Sequence, residues 1–257
     1  MTLRSVLLAL LLMTTSITAH AEASHFVERD VTVAGHHYRY QVFLPSGWTA
    51  KQTWPVVLFL HGSGERGNDN QKQLSQGLPP WLRDHGSDFP AVVVIPQAPD
   101  DTSWTGESER MAMRALRESV REFHGDTHRL YLTGLSLGGY GSWQIAIHHP
   151  GIFAAAAIIC GGIVPPSDEA NLVLVEGLPA QRDPYGWAAD RVGRLPVWIF
   201  HGSADNVVPP EGSRRMYAAL KERHADVRFT EFPGVNHGSW VPAYALPELW
   251  PWMFSHR

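Results

Sequence analysis

The sequence predicts an α/β fold: a mostly parallel central sheet flanked by helices, with antiparallel strands at its N-terminal side. Three observations predict it. Short, continuously apolar runs recur along the chain, as expected of parallel strands buried on both faces. Stretches with apolar residues at steps of three and four separate several of them. The chemically distinctive residues follow the apolar runs, where the carboxyl ends of parallel strands open onto loops.

Taken in order, residues 1–21 read as a secretory leader. Arg4 supplies the positive charge, Val6 to Met13 is a short apolar run, and Ala19-His20-Ala21 fits a small-x-small cleavage site. The run is too short to span a bilayer. A mature chain starting near Glu22 is therefore expected outside the cytoplasm, secreted or periplasmic, with residues 22–257 as one domain. Loss of Arg4 would take the formal charge from −4 to −5. That mild acidity offers no basic stripe for nucleic acid. The single cysteine, Cys160, excludes an intrachain disulfide, and its apolar surroundings FAAAAIIC mark it as a small buried hydrophobe.

Val31 to Leu44, interrupted by Ala34-Gly35, reads as a pair of strands with alternating Tyr38, Tyr40 and Val42. The buried-strand runs follow: Val56 to Leu60, Val92 to Ile95, Leu130 to Leu132, Ala154 to Ile159 and Val197 to Phe200. Helical periodicity is clearest over Glu107 to His124, where Met113, Leu116, Val120 and Phe123 share a face. Glu211 to His224 is a second helix, and Leu137 to His149 a third, with Tyr140, Trp143 and Ile147 on one side.

Gly134-Leu135-Ser136-Leu137-Gly138 sits between a strand and a helix and matches G-x-S-x-G, in which a sharp turn exposes a strained serine. Side chains two residues either side would collide across such a turn, hence the glycines. A serine hydroxyl needs a base, and the base needs an orienting group. Histidine is the natural base near neutral pH, and fourteen are available. On this kind of sheet the order nucleophile, acid, histidine selects Asp205, after the run VWIF, and His237, in PGVNHGSW. Asp205 can also be read as a turn residue, and His237 as an exposed loop histidine. Asp183 and Asp190 are rival acids, but neither directly follows a strand. The oxyanion of an acyl-transfer intermediate needs backbone donors. Leu137 N–H is one candidate, and Ser63 N–H, in the loop HGSG, is the other. The His61 side chain is expected to brace that loop.

LFLHGSGERGNDN, YLTGLSLGGYGSW, IFHGSADNVVP and FTEFPGVNHGSW, in this order, resemble the α/β-hydrolase superfamily. Within it they are similar to the secreted esterases grouped as predicted peptidases or phospholipase/carboxylesterase-like proteins, near feruloyl and acetyl-xylan esterases and polyhydroxybutyrate depolymerases. The resemblance spans Val31 to His256. It implies an α/β-hydrolase fold and a serine esterase in which Ser136 is nucleophile, His237 base and acid, and Asp205 its orienting partner. Ser63 and Leu137 would bind the oxyanion. It implies no cofactor and no metal.

Two features depart from that pattern. Residues 163–186 are longer than expected and hold the apolar Leu172 to Val175, read as a surface hairpin or a small cap over the substrate. Pro251, inside PELWPWMF, calls for a kinked or short helix. His124 and His128 have the spacing of zinc ligands on a helix, but Gly125 and Asp126 intervene, and a solvated helix end is expected. Trp104, Trp187 and Trp240, among ten tryptophans, fall in or near loops above the sheet and are candidates to stack on a sugar or aromatic group. The expected substrate is a small-molecule or polysaccharide-linked ester. The rival readings are a peptidase of the same fold and a non-catalytic binding protein. Peptidases that resemble prolyl oligopeptidase usually carry a large propeller domain, and only a few dozen residues precede the first strands of this sequence, so an ester is the expected substrate over a peptide.

Overall fold

The computed structural model describes residues 25–166, 172–180 and 182–257. The expected leader, residues 1–21, lies outside the described residues. An eight-stranded sheet has the order β1-β2-β4-β3-β5-β6-β7-β8. The strands β1 (His25–Val33) and β2 (His36–Leu44) form a hairpin that pairs antiparallel with β4 (Val92–Pro96). From β4 onward all pairs are parallel, through β3 (Trp54–Leu60), β5 (Gly125–Leu135), β6 (Ala155–Ile159), β7 (Val197–Gly202) and β8 (Val227–Phe232).

Successive side chains of a strand point to opposite faces, and here both faces are covered. Val56, Leu58 and Leu60 face α2 (Gly106–Glu122), α3 (Leu137–His148), α4 (Pro184–Val192) and α5 (Glu211–Glu222). Val57 and Phe59 face α1 (Leu78–His85), α6 (Trp240–Tyr244) and α7 (Leu249–Phe254). The central strands β3, β4 and β6 are buried along their whole length, which is why they read as unbroken apolar runs. Cys160 is buried at the end of β6, and burial pushes its thiol up to about 12. Pro251 falls in the first turn of a six-residue helix, where its missing N–H has no intrahelical partner to lose. Among the described residues no helix is long and apolar enough to cross a membrane.

The long connection before α4 carries no strand among its described residues. Leu172 and Val173 are exposed, whereas Leu174 and Val175 are buried. Gln144 of α3 holds this segment at two points: Glu176 N–H donates to its Oε1 at 2.7 Å, and its Nε2 donates to Glu176 Oε2 at 3.0 Å. The same nitrogen lies 2.7 Å from Glu109 Oε2 and 2.7 Å from His148 Nδ1. A buried amide serving this many partners links α2, α3 and the connection.

His61 directly follows β3 and sets the course of the loop. Its Nδ1–H donates to Gly62 O at 2.6 Å, and its Nε2 accepts Ala98 N–H at 3.0 Å. This pattern requires the neutral ring. Full burial, with a smaller contribution from Arg66, lowers its pKa from the usual 6.5 to about 4 against the opposing bond to Gly62.

Two predictions follow from these contacts. Gln144→Ala leaves Glu176 N–H and the Glu109 carboxylate short of a partner, so urea melts should show a loss of about 1–3 kcal/mol. As pH falls from 6.5 to 4 the unfolded chain protonates His61 and the folded chain does not. Its contribution to stability is therefore complete above about 6.5 and lost progressively towards 4, by roughly 3 kcal/mol. In His61→Gln, melts across that range should show an acid limb shallower than that of the parent.

Candidate active site

The carboxyl ends of β3, β5, β7 and β8 bring four loops together. β5 passes into α3 through Ser136 alone, whose φ of 53° and ψ of −119° lie in a region that costs a non-glycine residue about 1–3 kcal/mol. The turn closes because its flanks lack side chains. A Cβ at Gly134 would lie 2.2 Å from Gly138 O, and one at Gly138 would lie 2.0 Å from Leu60 O. Ser136 N–H is bonded to Ile159 O at 3.0 Å, which fastens the strained residue to β6.

Ser136 Oγ is 2.8 Å from His237 Nε2, and His237 Nδ1 is 2.8 Å from Asp205 Oδ2. The other carboxylate oxygen, Oδ1, accepts the N–H groups of Val207 at 3.0 Å and Val208 at 2.9 Å. A second histidine, the buried His201, brings its Nε2 to 3.3 Å from Oδ2 and to 2.9 Å from Val208 O. Burial pushes the Asp205 carboxyl up. The hydrogen bonds from His201, His237 and the two amides outweigh it and hold the group below the usual carboxylate range. Asp183 and Asp190, the rival acids, lie elsewhere: Asp183 caps α4 through Tyr185 and Gly186 N–H, and Asp190 pairs with Arg223.

The loops carrying Asp205 and His237 are joined to each other. Ser203 N–H bonds Phe232 O, and Ala204 N–H bonds Val235 O, both at 3.0 Å, and Gly234 N–H bonds Ser203 Oγ at 2.8 Å. The fit leaves no space for a side chain at Gly202, where a Cβ would lie 2.2 Å from Val235 O.

Ser63 opens a single 3-10 turn, Ser63–Glu65, and Leu137 opens α3. Neither N–H is bonded to another described residue, as is usual at a helix start. A Cβ at Gly62 would lie 3.6 Å from Ser136 Cβ, so this loop runs alongside the serine. Glu65 is buried beneath it, and its Oε2 accepts Gly62 N–H at 3.0 Å. Gln97 Nε2 donates to Glu65 O at 3.1 Å and secures the turn from below. Sequence reasoning did not single out Glu65, Gln97 or His201. The spacing Gly62-x-x-Glu65, which resembles a capping box, was the available signal for Glu65.

Ser63, Ser136 and Leu137 line a cavity of about 360 Å³, closed on other sides by Arg66, Tyr140, Leu172 and Leu174. The candidate tryptophans do not line it. Trp104 is a correction to the expected stacking role: it has no exposed surface, its ring packs 4.9 Å from His61, and its indole N–H is spent on His61 O. Trp187 packs beneath Arg191, whose guanidinium lies 3.9 Å from the ring centre. Trp240 stands edge-on to His237 at 5.6 Å and is not among the residues lining the cavity. A larger depression of about 500 Å³ lies at the amino ends of β5, β6 and β7, away from Ser136.

The family model of the esterases matches residues 32–240. A poly(3-hydroxyoctanoate) depolymerase of Pseudomonas fluorescens is 29% identical over 187 residues, covering 64% of this chain and 61% of that protein. A secreted protein of Arthroderma benhamiae is 27% identical over 205 residues, covering 71% of this chain and 21% of that protein. The chain thus spans only part of the length of these relatives. Among solved structures, a thermostable esterase is 30% identical with a TM-score of 0.72, covering 90% of this chain and 63% of that one. A ferulic acid esterase shares the fold, with a TM-score of 0.67 at 17% identity over 91% of this chain and 99% of that one. With a family model matched over most of its length and an eight-stranded sheet of the same architecture, the chain belongs to the Esterase family of the α/β-hydrolase superfamily.

Proposed function

We propose that the protein is an exported serine hydrolase that cleaves carboxylic esters through an acyl-enzyme. One observation carries the reading: the unbroken relay from Ser136 Oγ through His237 to Asp205, with both contacts at 2.8 Å. Ser136 Oγ attacks the ester carbonyl carbon while His237 Nε2 takes the hydroxyl proton. Asp205, kept ionised by its donors, fixes the ring with Nδ1–H inward and stabilises the imidazolium. The N–H groups of Ser63 and Leu137 receive the oxyanion; one such donor is worth about 3 kcal/mol at the transition state. Collapse of the tetrahedral species breaks the C–O bond, and His237 returns the proton to the leaving alcohol. Water then attacks the acyl-enzyme with His237 again as base, releasing the acid and restoring Ser136.

The family match favours esters over peptides. The cavity, near the lower end of the size range of ligand pockets, suits a small acyl or alcohol group. Export is supported by the leader pattern of residues 1–21 and by the secreted Arthroderma relative.

Two measurements test the reading. Ser136→Ala should lose at least about 10³-fold in kcat on 4-nitrophenyl acetate with its thermal melt preserved; unchanged turnover would remove the serine from the mechanism. The parent should hydrolyse 4-nitrophenyl acetate far faster than an N-acyl amino-acid 4-nitroanilide, and efficient anilide cleavage would make it a peptidase.

A further inference from the structure

Among the described residues that line the cavity beside Ser136, Leu137, Leu172 and Leu174 make much of the wall apolar, and Arg66 is the one that is ionised at neutral pH. The guanidinium is held in place: its Nε donates to Ser63 O at 3.0 Å and its Nη1 to Thr102 O at 3.2 Å. These carbonyls occupy two of its five N–H donors and supply no countercharge.

Among the described residues no carboxylate pairs with Arg66, whose side-chain partners are those two carbonyls. Arg29, Arg114, Arg129 and Arg223 pair with carboxylates within 4 Å, whereas Arg39 and Arg83, like Arg66, are bonded to backbone carbonyls; of these arginines Arg66 is the one that lines the cavity beside Ser136. The adjacent Glu65 is no partner, because its carboxylate is turned beneath the loop to Gly62 N–H. A fixed, half-buried cation among apolar side chains favours an anion with oxygens to receive its spare N–H groups, and guanidinium geometry matches a carboxylate.

We propose that Arg66 determines specificity, selecting esters that carry a carboxylate within reach of its guanidinium on the acyl or the alcohol side. The proposal rests on the ester-hydrolase reading of the same site. It assigns Arg66 a function beyond bracing the Ser63 turn, since a brace would serve charged and neutral esters alike.

Two matched pairs of substrates test this with the purified protein. On the acyl side, the mono-4-nitrophenyl ester of adipic acid is compared with that of adipamic acid. On the alcohol side, 3-acetoxybenzoate is compared with 3-acetoxybenzamide. In at least one pair kcat/KM should favour the carboxylate by about tenfold or more, the size of one charge-assisted hydrogen bond. The pair that responds identifies the side. The preference should shrink as salt is raised, fall to near one in Arg66→Gln, and survive in part in Arg66→Lys. Equal rates within both pairs for the parent would overturn the proposal without recourse to any variant. So would an Arg66→Gln protein in which both members slow equally, which would leave Arg66 a brace. Hydrolysis of 4-nitrophenyl acetate in the same assay shows that the ester-hydrolase reading stands even if the proposal fails. Failure on that ester and on both pairs would overturn the two together.

Discussion

The closure of one tight turn governs the arrangement at the carboxyl edge of the sheet. Ser136 adopts a backbone conformation that costs energy, and it does so because Gly134 and Gly138 permit approaches no side chain could share. The contact of Gly138 with Leu60 O is as important as the turn itself, since it draws the start of α3 against the end of β3. The loop that begins at His61 is thereby brought alongside the serine. The neutral His61 ring, bonded to Gly62 O and Ala98 N, then fixes its path.

Electrostatic order is built on that scaffold with few charges. Asp205 receives hydrogen bonds from two histidines and two amides, which keep its carboxylate ionised and fix its orientation. Bonds of this kind require no reorganisation during reaction. On the cavity wall Arg66 is also held by hydrogen bonds but has no countercharge among the described residues. The two charges therefore differ in kind: Asp205 is satisfied by its own donors, and Arg66 is bonded to neutral carbonyls.

Much of the fold was legible because burial on both faces leaves an unmistakable trace. β3, β4 and β6 are unbroken apolar runs, and the helix expected over Glu107 to His124 forms from Gly106 to Glu122. The residues proposed for the relay could be named in advance because each follows a strand in the order this sheet imposes. The pocket wall was less legible. Trp104 sits in a loop yet is wholly buried, since loop position in sequence does not report which way a side chain turns. Leu172 to Val175 suggested a hairpin or a cap, and local pattern could not reveal that Gln144, some thirty positions away, anchors the segment. Arg66 was overlooked for a related reason. A lone basic residue in a loop is ordinary, and its distinction lies in its place on the wall of the cavity beside Ser136, which only three dimensions disclose.

The bonds between the loops after β7 and β8 carry a mechanical consequence. Ser203, Ala204 and Gly234 stitch these loops together, while Ser136 is fastened separately to β6. Asp205 and His237 therefore sit on one joined pair of loops, and Ser136 on a separate support. In the proposed relay the adjustable gap is the one between hydroxyl and imidazole, so slight breathing of the outermost strand would interrupt proton hand-off while leaving the contact of Asp205 with His237 intact.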